Sequence, residues 1–107
     1  MGKFDPDPEK LKFLTDLNKL IHEPGRLAIM SFLYVVQEAD FVFLLDQTGL
    51  TRGNLSSHMN KLECAGYVDI SKDFVEKVPR TTYKLTDDGK RAFTEYRQGL
   101  LDSLGGF

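Results

Sequence analysis

The stretch from Asp40 to Tyr67, DFVFLLDQTGLTRGNLSSHMNKLECAGY, constrains what this chain can fold into more than any other. Phe41, Leu44 and Leu45 recur at helical spacing behind Asp40, which suits an N-cap, and Gly49 can take the left-handed conformation that ends a helix. Thr51 is then a second N-cap, and Leu55, Met59 and Leu62 fall four and three apart on one stripe of a 3.6-residue helix. The opposite side of that second helix carries Gly53, Ser57 and Asn60, flanked by Asn54, Ser56 and Lys61. Such a face is short, hydrogen-bonding and mildly basic, whereas an ordinary solvated face is laced with Glu and Lys pairs. It is the candidate contact surface.

The rest of the chain supplies a frame for this pair. Two Asp-Pro steps precede a helix expected to begin near Pro8, with Leu11, Phe13, Leu14, Leu17, Leu20 and Ile21 forming a wide apolar stripe over Glu9 to Ile21. Pro24 starts a second helix through Arg26 to Gln37, apolar nearly all round and therefore expected at the centre of the core. Glu38-Ala39 reads as a short link. After the Thr51 helix, Ala65-Gly66 is a stop signal, and Tyr67 to Lys72 and Thr81 to Leu85 each alternate in period two around a polar segment containing Pro79. These runs predict a hairpin with a basic tip. Thr86 and two aspartates then open a last helix, whose apolar side is Ala92, Phe93, Tyr96 and Leu100. The only break between the two helices of the organising stretch is Thr48 to Leu50, the spacing of a helix-turn-helix. Four helices, a β-hairpin and a closing helix make the winged helix-turn-helix arrangement, an α+β fold that is mostly α. One domain is expected over residues 1–107, with 1–8 and 103–107 as flexible ends.

Composition narrows the functions. At 107 residues with 41% hydrophobic and 28% charged, the chain can bury a core without disulfides or metal. Cys64, the one cysteine, reads as a small residue at a helix end, and with His22 and His58 it makes no metal-ligand spacing, so no metal or cofactor is expected. No apolar run approaches the roughly 20 residues that cross a bilayer, and a cytoplasmic protein is expected. The Ser56-Ser57-His58 run does not make a hydrolase, because consecutive helical residues point apart and no carboxylate orients the histidine; an enzyme is not expected. A net charge of −2 argues against a wholesale electrostatic grip on nucleic acid but leaves room for a local one at Arg52, Lys61, Lys77 and Arg80.

Three motifs carry a family resemblance. The run LTRGNLSSHMNKLECAGYV closes with Leu62 to Val68, Tyr83 to Gly89 reads Tyr-x-Leu-Thr-x-x-Gly, and Pro24 to Ile29 fits Pro-x-Arg-x-x-Ile. In this order they resemble the winged-helix transcriptional regulators of the MarR and ArsR type, especially small single-domain members, over roughly residues 11 to 95. The resemblance implies that Thr51 to Lys61 lies in the major groove of double-stranded DNA and that the wing, residues 74–82, reaches the backbone or minor groove through Lys77 and Arg80. The chemistry agrees: Asn54, Ser56, Ser57 and Asn60 can bond base edges, Arg52 and Lys61 can pair with guanine or phosphate, and the amides at Thr51 favour a phosphate. His58, on the margin of the core stripe, reads as either a phosphate donor or a half-buried packing residue. The resemblance further implies a homodimer on a pseudo-palindromic operator, with Leu11, Leu14, Leu17, Phe93, Tyr96 and Leu100 as interface candidates; the other reading is that these pack on their own chain. Metal sensors of the ArsR type carry paired cysteines where this chain has Phe41 to Asp46, so a thiolate sensor is not expected. A small-molecule effector in the MarR manner would use a pocket near the dimer interface, which no residue identifies. A winged helix used as a protein-protein interaction module is the alternative function.

Overall fold

The structure, a computed structural model, describes residues 8–105. The elements are α1 (Pro8–Thr15), α2 (Pro24–Val36), β1 (Glu38–Asp40), α3 (Phe41–Thr48), α4 (Arg52–Cys64), β2 (Val68–Val75), β3 (Val78–Leu85) and α5 (Asp87–Leu104). This is the winged helix arrangement expected from the sequence. Residues 1–7 and 106–107, within the ends expected to be flexible, lie outside the described residues, while Ser103 and Leu104 belong to α5 and Ser103 is buried.

Helix α2 is the centre of the core, as its all-round apolarity predicts. Its Ile29, Met30 and Leu33 are fully buried together with Ile21, Leu44, Leu55, Met59, Leu62 and Val68. Each such side chain stabilises the fold by about 1.5–3 kcal/mol relative to exposure. The caps are those the sequence signals: Asp40 accepts from Phe43 N, Gly49 ends α3 at φ 69°, Thr51 accepts from Asn54 N, and Thr86 accepts from Gly89 N. The α3–α4 turn is thus fixed at both ends.

Three expectations need correction. Helix α1 ends at Thr15, short of Ile21, because Thr15 Oγ1 turns back to the Lys12 carbonyl and Asn18 Oδ1 accepts from Leu20 N and Ile21 N, holding a turn that delivers Leu17 and Ile21 to the core. The link Glu38-Ala39 is part of a strand: β1 pairs antiparallel with β3, Ala39 opposite Tyr83, in a three-stranded sheet ordered β1-β3-β2. The hairpin strands run to a two-residue turn, Glu76-Lys77, with positive φ at both positions, so Pro79 lies within β3 opposite Phe74. Pairs in an antiparallel ladder alternate outward from the turn, which puts the Phe74–Pro79 pair at a non-hydrogen-bonded position. The proline nitrogen then faces the side where β1, matched only to Thr82–Lys84, does not reach.

Candidate nucleic-acid interface

Helix α4 sits on the core through Leu55, Met59 and Leu62, all at 0% exposure, and this leaves the opposite face in solvent. Arg52, Asn54, Ser56, Ser57, Asn60 and Lys61 are all exposed. The side chains of Ser56, Ser57, Asn60 and Lys61 make no hydrogen bond with the described residues, so their donors and acceptors are available to a partner. Thr51 uses its hydroxyl on the Asn54 amide at 3.1 Å, and Arg52 lies over the Phe41 ring with its guanidinium carbon 5.7 Å from the centroid. Gly53 is open: a Cβ there would meet nothing within 4 Å.

His58 is the one candidate on α4 that turns inward. It is partly buried, with Arg26 Nη1 3.0 Å from its Nδ1 and Glu23 Oε2 3.6 Å from its Nε2. Burial pushes the Glu23 carboxyl up, but the Gly25 and Arg26 amides and the charges of His58 and Arg26 outweigh it, so Glu23 is held below its ordinary value.

The hairpin's two faces differ. By strand alternation Ile70, Lys72, Phe74, Pro79, Thr81 and Tyr83 share one face, and Asp73 and Arg80 the other. The first face looks across a groove to Ser56 and Asn60, with Lys72 and Thr81 on its far wall. Lys72 was not among the sequence candidates, yet the period-two pattern from Val68 and Ile70 points to it. Arg80, one of the candidates, is engaged by Asp73: its Nε and Nη2 lie 3.4 and 3.3 Å from the two carboxylate oxygens. The hydrogen bond and charge of Asp73, with the charges of Asp40 and Glu38, raise the guanidinium above its ordinary value. Lys77 occupies the turn beside Glu76, and Phe74 and Val78 at the tip are 73% and 63% exposed. The tip thus adds exposed apolar side chains and an acidic neighbour to the basic residues expected there.

The proposed dimer residues divide. Leu17, Phe93 and Tyr96 are buried within their own chain and Leu14 and Leu100 are partly buried against its core, as the own-chain reading has it; Leu11 is exposed, as are Leu101 and Leu104 on α5. A cleft between α1 and α5 is lined by residues including Phe13, Asn18, Tyr67 and Tyr96. No helix among the described residues is long and apolar enough to cross a membrane. Among the same residues no group of three His, Cys, Asp or Glu side chains could hold a metal.

Comparison with known proteins matches this geometry. An uncharacterized protein of Methanocaldococcus jannaschii is 33% identical over 83 residues, covering 78% of this chain and 90% of the relative. A solved transcriptional regulator homologue of Pyrococcus horikoshii superposes with a TM-score of 0.84 at 33% identity, covering 92% of this chain and 96% of that one. A MarR-family transcriptional regulator of Silicibacter pomeroyi, at 15% identity, shares the fold with a TM-score of 0.65, over 89% of this chain and 63% of its own. The model of a family described as a winged helix DNA-binding domain matches residues 26–103, from the first turn of α2 almost to the end of α5. The chain belongs to that winged helix DNA-binding family.

Proposed function

We propose that the chain is a sequence-specific transcriptional regulator that binds double-stranded DNA as a homodimer at a pseudo-palindromic operator, with α4 in the major groove. The observation that carries this reading is the α4 face: a capped, core-anchored helix presenting Asn54, Ser56, Ser57, Asn60 and Lys61 to solvent. Asn and Ser bond base edges, and Lys61 and Lys72 supply the phosphate attraction that a net charge of −2 does not. The second copy docks on the apolar surface of the terminal helices, Leu11, Leu101 and Leu104, and the cleft between α1 and α5 is where an effector would act.

The test is a fluorescence anisotropy titration of the chain against duplexes enriched by it from a randomised pool, alongside sedimentation of the free protein. Selective binding of an enriched duplex with two half-sites, by a species of twice the chain mass, is expected. The exposed apolar tip, Phe74 and Val78, favours a second reading, a winged helix that binds protein. A chain that retains no duplex at low salt but binds a protein partner through those residues would replace the first reading by the second.

A further inference from the structure

His58 lies one residue before the fully buried Met59 and one turn from Asn54 and Lys61 on the exposed face. Its ring rests on the first turn of α2 at Gly25, where a Cβ would come within 2.6 Å of Nε2 and 2.8 Å of Cδ2. A side chain at this position would displace the ring. A guanidinium only donates, so the Arg26 contact at 3.0 Å makes Nδ1 the acceptor and leaves the proton of the neutral ring on Nε2. That proton faces Glu23 Oε2, a buried oxygen with no hydrogen-bond partner.

Both partners of His58 are themselves tied to backbone. Arg26 Nε donates to the Leu20 carbonyl at 2.6 Å, and Glu23 Oε1 accepts from Gly25 N and Arg26 N as the cap of α2. The neighbouring His22 joins the same turn to α5, its Nδ1 2.7 Å from the Tyr96 hydroxyl. The histidine is therefore held by groups that cannot follow it.

Leu55, Met59 and Leu62 fix how deep α4 sits, but apolar contacts are non-directional and resist rotation about the helix axis poorly. Side-chain tips lie about 5–6 Å from a helix axis, so a roll of about 10° moves them by about 1 Å, enough to lose a hydrogen bond to a base edge. Long lysine side chains absorb such a shift on their way to a phosphate. We infer that His58, clamped between Arg26 and Glu23, is a positioning residue that sets the roll of α4 and so the sequence selectivity of binding, without touching DNA. This rests on the DNA-binding reading above.

The test uses the full chain and two labelled duplexes, one enriched from a randomised pool by the wild type and one scrambled. His58→Ala and Arg26→Lys each weaken binding to the enriched duplex about tenfold and leave the scrambled duplex within about twofold, with the salt dependence of binding unchanged. His58→Asn, which keeps an acceptor near the Nδ1 position, restores most of the selectivity. Equal losses on both duplexes, with the log–log salt slope reduced by about 0.9, would make His58 a phosphate ligand and overturn the proposal. Unchanged binding to both duplexes overturns it as well. A wild type that retains no duplex removes the DNA reading and this inference together. Long-range proton–nitrogen correlation on the free wild type tests the clamp whatever the variants do: the neutral ring is expected to carry its proton on Nε2, and a neutral ring protonated on Nδ1 contradicts it.

Discussion

Helix α4 and the β2–β3 hairpin face one another across the groove lined by Ser56, Asn60, Lys72 and Thr81, yet they are built to opposite specifications. The helix is capped at Thr51, carries three side chains at 0% exposure and is gripped by Arg26 and Glu23 through His58. The hairpin is exposed from Ser71 to Arg80, extends past the three residues of β1, and ends in a non-glycine turn at Glu76-Lys77. A braced element suits base reading, where hydrogen-bond geometry tolerates little error. An unbraced one suits a phosphate backbone, which asks only for charge within reach.

The largest effect that would break this comparison is at the α4 face. Replacing Ser57 and Asn60 together by Ala is expected to weaken binding to an enriched duplex by about 10- to 100-fold, about 1.4–2.7 kcal/mol for the two side chains together, and to spare a scrambled one. Competition anisotropy with both duplexes reads this; equal losses would move the two side chains to the backbone.

Next come the charges. Lys61→Ala and Lys72→Ala should weaken enriched and scrambled duplexes alike and reduce the log–log salt slope by about 0.9 each. Arg80→Ala should do less, because Asp73 already holds its guanidinium, and Asp73→Asn should strengthen binding slightly by freeing it. An Arg80 effect larger than that of Lys72 would reverse the assignment of the two hairpin faces.

Gly53→Ala separates folding from binding. With open space at the Cβ position it should stabilise α4 by up to about 1 kcal/mol, read as a higher urea midpoint, while weakening DNA affinity if the helix backbone approaches the duplex closely. Unchanged affinity would place Gly53 off the interface.

The smallest effect is in the brace. The native Glu23 carboxyl is held below its ordinary value, so its stabilisation is complete above the ordinary carboxylate range and is lost as pH falls through the native value. Glu23→Gln should lower the urea midpoint modestly at neutral pH, with the deficit shrinking as pH falls, so that the acid limb of the midpoint against pH flattens.

Much of this was legible in the sequence because the signals are local. The caps at Asp40, Thr51 and Thr86, the left-handed Gly49 and the Leu55–Met59–Leu62 stripe are each read within a few residues, and the fold follows from their order. What escaped depends on pairing across the chain. The Asp73–Arg80 pair is seven residues apart in sequence but directly opposite once a two-residue turn sets the register. The grip on His58 joins residues 32 positions apart, and no periodicity announces it. The apolar residues of the α1–α2 turn and of α5 have the same character, since burial of Leu17, Phe93 and Tyr96 depends on which elements meet.

A helix α4 that reads the bases does so at their major-groove edge. Replacing the purines of an enriched half-site with 7-deaza analogues removes the N7 acceptor from that edge and leaves the minor groove and phosphates as they were. The wild type should bind the substituted duplex about tenfold more weakly than the natural one, and Asn60→Ala should show a smaller difference between them. Equal wild-type affinity for the two duplexes would contradict the claim.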